Sequence, residues 1–232
     1  MAPALHILSG GAAQALVGRL KPAFEQAQGI GVEATFGAVG FMRDKLVAGE
    51  PCDIVIVTQA LIGELAAQGH VDAETAMPLG IVKTGIAVKE GEPHPDVSTR
   101  EALRSALLKA PGIYFPDPVK ATAGIHFMKV LKALGVDTGM KDHLRTFPNG
   151  ATAMAEMAKA PRPHVIGCTQ VTEILHAPGV ELVGLLPHEF ELATVYTAAV
   201  TTRAQHPQQA REFVRTLASA GAAPVRASCG FE

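Results

Sequence analysis

The chain has 232 residues, of which 48% are hydrophobic and 18% charged, and its formal net charge is -2. That balance excludes intrinsic disorder and suits one large or two small globular α/β domains. Without a basic stripe to release counterions from a polyanion, no nucleic-acid partner is expected.

In chain order, Leu5 to Leu8 is an apolar run bounded by Ser9-Gly10-Gly11, and it predicts a first strand. Leu16, Val17, Leu20, Ala23 and Phe24 then recur at helical spacing until Gly29 stops the pattern. Val32 to Phe36 predicts a second strand, ended by Gly37-Ala38-Val39-Gly40, and Phe41, Met42, Leu46 and Val47 mark the helix behind it. Asp53 to Val57 is a third strand, apolar throughout after its first residue, as expected where both faces are covered, and Thr58 is a candidate cap for the next helix.

Ile81 to Val88 opens a second unit. Ser98 is the predicted N-cap of a helix to Lys109, with Glu101 completing a capping box. Ile113 to Phe115 reads as a strand, Thr122 to Leu134 as a helix closed by Gly135, and Ala151 to Lys159 as another helix. Val165 to Gly167, Val180 to Leu185 and Val195 to Thr202 read as strands, Thr169 to Leu175 as a helix start, and Pro207 to Ala218 as the last helix. Strand–helix alternation implies right-handed crossovers and mostly parallel sheets flanked by helices.

Cys52, Cys168 and Cys229 are far apart and odd in number, so no disulfide framework is expected. No CxxC, HExxH, P-loop or GxGxxG spacing occurs, so neither a metal nor a cofactor is expected. No run reaches the roughly 20 apolar residues that span a bilayer. Met1-Ala2-Pro3 leads into Leu5 without the regions of a secretory leader. This points to a cytoplasmic protein, or to a periplasmic one if a signal peptide has been removed.

Four strand-to-helix turns are rich in small residues: Ser9-Gly10-Gly11, Ala38-Val39-Gly40, Ala121-Thr122-Ala123-Gly124 and Asn149-Gly150-Ala151. Free backbone N–H groups and the positive end of a helix dipole make each a potential anion seat, and small side chains let a ligand reach the amides. Relief of crowding where strand meets helix explains any single such turn equally well. Asp117 before Pro118 suits an Asx turn. His126 and Tyr196 are placed to reach a cleft, although packing roles account for both.

With these turns in place, the chain resembles the molybdate-binding branch of the type II periplasmic solute-binding proteins. The resemblance runs over nearly the whole length. It rests on the stretch from Gly37 to Ile54, on PDPVKATAGIHFMKVLKALGV (Pro116 to Val136) and on VIGCTQVTEIL (Val165 to Leu175). It implies an α/β fold of two lobes, residues 1–82 plus 199–232 and residues 83–198, joined by two crossover strands with a ligand cleft between them. Oxyanion binders of this kind offer serine hydroxyls after the first two strands and a tyrosine in the second lobe. Those positions align here with Gly11, the Ala38-Val39-Gly40 turn and Gln170. The lost hydroxyls speak against a compact tetrahedral dianion.

Ser9-Gly10-Gly11, Lys83 and Gln170-Val171-Thr172-Glu173 resemble a divergent branch that includes bacterial aconitate isomerase. That resemblance implies a small di- or tricarboxylate ligand, with one carboxylate on helix-terminal amides and another on Lys83. The Gln170 amide would donate or accept. Ser9, Gly10, Gly11, Ala38, Val39, Gly40, Thr58, Lys83, Thr122, Ala123, Asn149, Gly150 and Gln170 are thus the expected ligand-binding residues. No catalytic base is identifiable. The alternative is the substrate-binding component of an ABC transporter, for an oxyanion such as molybdate or for an organic anion, with a permease as partner.

Overall fold

A computed structural model describes residues 3–232. In chain order these form β1 (Ala4–Gly10), α1 (Gln14–Gln28), β2 (Gly31–Gly37), α2 (Val39–Val47), β3 (Ile54–Thr58) and α3 (Gln59–Ala67). There follow β4 (Met77–Lys89), α4 (Arg100–Lys109), β5 (Ile113–Pro116), α5 (Thr122–Ala133), β6 (Leu144–Phe147), α6 (Gly150–Ala158), β7 (Ile166–Gln170) and α7 (Val171–Ile174). The chain ends with β8 (Val180–Leu185), β9 (Ala193–Val200), α8 (Pro207–Ala218) and α9 (Ala223–Ser228). Two compact units result, one running to Val82 and resuming at Thr194, the other Lys83–Ala193. The return falls before residue 199 because Tyr196 to Val200 already pair with β3.

In unit 1, β1 pairs in parallel with β2 and with β3, while β9 closes the sheet antiparallel to β3. Ile54, Val55, Ile56 and Val57 are fully buried, because α1, α2, α3 and α8 cover both faces of that strand's sheet. Phe24 of α1 meets Phe213 of α8 with ring centroids 4.6 Å apart. Gly29 ends α1 at φ 64°, the left-handed conformation that a residue without Cβ adopts freely. Asp53, 1% exposed, is the polar pin of this unit. Its carboxylate accepts from the backbone N–H groups of His6 (2.8 Å), Gln205 (2.7 Å) and His206 (2.9 Å), which ties β1, β3 and the approach to α8 together.

In unit 2, β5 pairs in parallel with β6 and β7, and β4 runs antiparallel to β7 and β8. The core side chains of α4 and α5, including Leu103, Phe127 and Leu131, form one apolar cluster with β5 and with Ile166 and Cys168 of β7. Met154 and Met157 of α6 pack on the other face, against Gly167. β6 carries no apolar alternation and is half exposed, so its sequence hides it. The N-cap of α4 is Thr99, whose hydroxyl accepts from Ala102 N–H. Ser98 instead donates to and is held by Asp96, which corrects the predicted cap. Asp117 Oδ1 accepts from Val119 and Lys120 N–H, the expected Asx turn. A Cβ on Gly124 would overlap the carbonyls of Pro116 and Asp117, so the glycine lets α5 cross this turn closely.

The most constrained group of unit 2 is Glu173. Its buried carboxyl lies against Gly150 at the N-terminus of α6, where the backbone N–H groups of Gly150, Ala151 and Gln170 favour its charged form. Thr169 Oγ1 donates to it at 2.5 Å. The bond to Gln170 N–H is the returning half of a capping box, with Glu173 three residues after the N-cap.

Two predictions follow from these pins. Asp53→Ala strands three backbone donors, so urea denaturation should report a loss of roughly 2–4 kcal/mol. Burial pushes the Glu173 carboxyl above its ordinary value, although the donors around it pull the other way. A raised folded-state pKa contributes stability below the unfolded value near 4.3, and that contribution is lost as pH rises through the folded one. The stability of Glu173→Gln relative to the parent should therefore improve from about pH 4 upward, as measured by unfolding across a pH series.

Candidate functional site

Sheet register brings the unit 1 turns together. Gly10 faces Gly37 across β1 and β2, and Ser9 faces Ile56 across β1 and β3. The first turns of the helices after β1, β2 and β3 therefore start side by side, at the carboxyl ends of the strands. They differ in how their orphan N–H groups are met. The single 3-10 turn Gly11–Ala13 ahead of α1 receives no side-chain cap, and neither do α1 itself nor α2 behind Ala38. α3 has one, since Thr58 Oγ1 accepts from Leu61 N–H at 3.3 Å. Thr58 is thus spent on its own helix rather than offered to a ligand as an acceptor.

Three further unit 1 residues have packing roles. Ser9 is fully buried, and its hydroxyl donates to Gly10 O at 2.9 Å. A Cβ on Gly10 would come within 2.9 Å of Val39 Cγ1 and 3.0 Å of Tyr196 Cε1. The glycine makes room for these side chains, and Val39 is turned into the core at 7% exposure. Gly11 and Gly40 are half-buried, and Ala38 is buried. Their backbones therefore form the part of unit 1 that suits an anion best.

In unit 2 the Asn149-Gly150 turn is already filled. Asn149 Oδ1 accepts from Thr152 N–H at 2.8 Å, and the Glu173 carboxylate occupies the space where a Gly150 Cβ would stand. The small residue serves the protein's own anion, which corrects the expectation of a ligand seat there. α5 behind Ala121 is different. It has no side-chain cap, with Thr122 half-buried and Ala123 buried behind it.

Gln170 terminates β7 and is 2% exposed. Along β7, Ile166 and Cys168 belong to the α5-side cluster while Gly167 and Thr169 face α6. Alternation therefore places Gln170 on the α5 side. Neither its Nε2 nor its Oε1 has a hydrogen-bond partner among the described residues. Thr84 and Thr172 Oγ1 are in the same condition. Buried amides and hydroxyls are nearly always satisfied, so these unpartnered atoms are exceptions that call for a physical account.

Lys83 does not join this group. Its Nζ is 3.4 Å from Glu191 Oε2, and it precedes Thr84 in β4, so the alternation points it to the opposite face. The cation expected to meet a ligand carboxylate has a carboxylate of the protein beside it. His126 Nε2 is 2.8 Å from Phe190 O, a structural contact, and Tyr196 packs against Gly10 at 3% exposure. Among the described residues, no three His, Cys, Asp or Glu side chains gather to hold a metal, and the three cysteines are free and buried. Among the described residues, no helix is long and apolar enough to cross a membrane. Thr84 and Glu173 escaped the reading from sequence. The Gln170-x-x-Glu173 spacing was a signal for the second, whereas Thr84 carried none.

The chain is 28% identical to an aconitate isomerase from Pseudomonas over 228 residues, which is 94% of this chain and 84% of that one. Its fold matches the periplasmic molybdate-binding protein of Azotobacter vinelandii with a TM-score of 0.81, at 16% identity and 98% coverage of both chains. The sulfate-binding protein of Mycobacterium tuberculosis matches with a TM-score of 0.76, at 18% identity, over 99% of this chain and 86% of that one. Both establish the type II periplasmic-binding-protein fold. A family model described as bacterial extracellular solute-binding protein matches residues 5–232, and the chain belongs to that family.

Proposed function

We propose that this protein binds a small organic anion, a di- or tricarboxylate. The observation that carries the reading is the buried, unpartnered amide of Gln170 on the α5-facing side of β7, together with the absence of a side-chain cap on α5. Within unit 1, the backbone turns at Gly11 and at Ala38 to Gly40 are the further donors of this proposal. A flexible carboxylate can reach several such donors at once. The missing serine and tyrosine hydroxyls favour it over molybdate or sulfate. Binding without turnover, in service of a transporter permease, is one form of this activity. A leader sequence in the native reading frame and an adjacent permease gene would identify it.

A second reading, isomerisation of aconitate by a proton shift, is favoured by the relative of that name. It needs a base near a carbon acid and a cradle for the enolate-like intermediate. The uncapped turns suit the cradle. Incubation with trans-aconitate, followed by NMR for the cis isomer, tests turnover, and no conversion sinks this second reading. Calorimetric titration with succinate, malate, citrate, trans-aconitate, sulfate and molybdate tests the first. Tighter binding of the inorganic ions than of every organic acid would overturn it.

Two variants sharpen the test. Gln170→Met removes a neutral hydrogen-bond donor and should weaken binding of the best carboxylate by about 0.5–1.5 kcal/mol, roughly 2- to 13-fold. Without ligand the same variant should be more stable by about 1 kcal/mol, because an unsatisfied buried amide is gone. Lys83→Ala should change affinity less than Gln170→Met, since Glu191 already neighbours the ammonium. Calorimetry and thermal unfolding on the same preparations read both effects.

A further inference from the structure

Thr84 and Gln170 stand directly opposite each other in the antiparallel β4–β7 ladder. Thr84 N–H donates to Leu192 O and its carbonyl accepts from Leu186 N–H, so both of its backbone groups are engaged away from β7. The pair is thus of the non-hydrogen-bonded kind, in which facing side chains come closest, with Cβ atoms about 4.5–5.5 Å apart. The next pair on the same face, Ile86 with Cys168, belongs to the apolar cluster under α5. The polar pair therefore lies next to that cluster along the ladder, at the carboxyl end of β7.

Thr84 and Gln170 are 1% and 2% exposed, and neither side chain bonds to the other or to any other described residue. The chemistry of this pair is mixed. Gln170 Nε2 only donates, Gln170 Oε1 only accepts, and the Thr84 hydroxyl does either. A fully ionised carboxylate or oxyanion only accepts. It would satisfy Nε2 and the hydroxyl but would set its own lone pairs against Oε1, leaving that buried acceptor without a donor. Unless the Thr84 hydroxyl turns to Oε1 and is lost to the anion, only a ligand that brings a donor of its own meets every atom of the pair.

We infer that the ligand is a hydroxycarboxylate, in which a hydroxyl beside the carboxylate donates to Gln170 Oε1, so that Gln170 and Thr84 together select for the hydroxyl. The inference rests on the organic-anion reading above and deepens it. It also makes aconitate, whose carboxylates carry no proton near neutral pH, a weaker ligand than a hydroxylated tricarboxylate.

Matched pairs isolate the hydroxyl. Citrate against tricarballylate and malate against succinate each differ by that one group. Titration calorimetry on the intact protein at pH 7 should find the hydroxylated member of at least one pair tighter by about tenfold or more. The preference should shrink toward parity in Gln170→Met and in Thr84→Val, with thermal unfolding confirming that each variant is folded. The two substitutions are independent, so one suffices if the other fails to fold. If all four acids bind and the hydroxyl makes no difference, the organic-anion reading stands and the hydroxyl inference is overturned. A preference that survives both substitutions overturns it as well. If none of the four acids binds while sulfate or molybdate does, both readings fall together.

Discussion

Unit 2 depends on a carboxyl group that the protein buries against the start of its own helix α6. The Glu173 carboxyl is buried, takes the Thr169 hydroxyl as a donor and has the backbone N–H groups of Gly150, Ala151 and Gln170 around it. Removing a carboxylate from water is expensive, and only this set of donors makes the site tolerable. In return the carboxylate meets N–H groups that α6 would otherwise leave orphaned, and it fixes the sharp exit of β7 into α7. Gln170 is the residue at that exit. Its placement at the strand end, with its side chain on the α5 face, follows from the capping box that Glu173 closes.

Helix capping then separates the turns whose N–H groups a side chain already meets from those that have no such cap. Thr58, Thr99 and Asn149 each spend a side-chain oxygen on their own helix, at about 1 kcal/mol apiece. α1, α2 and α5 start at strand ends without such help. In open α/β sheets the carboxyl ends of the strands are where ligands bind, and helix N-termini there favour anions. An uncapped start in that position gives up local stability that a bound anion would restore. The same logic applies to the Gln170 amide, which costs the unliganded protein stability and is retained at a strand end all the same.

The departure from oxyanion-binding relatives lies in the type of donor and acceptor rather than in the fold. Backbone N–H groups and hydroxyl donors suit an ion that only accepts. An amide oxygen among them changes the preference, because specificity here arises from the penalty on the wrong partner. Lys83 adds little to that preference, since Glu191 stands beside it and its side of β4 faces away from Gln170.

Much of the fold was legible in neighbouring residues. Leu5 to Leu8 and Asp53 to Val57 announce buried strands, Gly29 and Gly135 stop helices, and Asp117 sets its own turn. All of these act over a few residues of chain. The motif Asp117-Pro118 with Ala123-Gly124 was equally legible, and the close passage of α5 over Pro116 and Asp117 explains its glycine. β6 was not legible, because a half-exposed strand of Leu-Arg-Thr-Phe needs no apolar alternation. Nor was the filling of the Asn149-Gly150 turn, which requires a residue more than twenty positions later to fold back onto it. Thr84 lies farther still from Gln170 along the chain, and only the β4–β7 register makes them a pair. Periodicity and turn chemistry are written in adjacent residues and survive in any segment read alone. Which polar groups end up buried together, and which of them lack a partner, depends on contacts between distant segments that exist only once the sheets have formed.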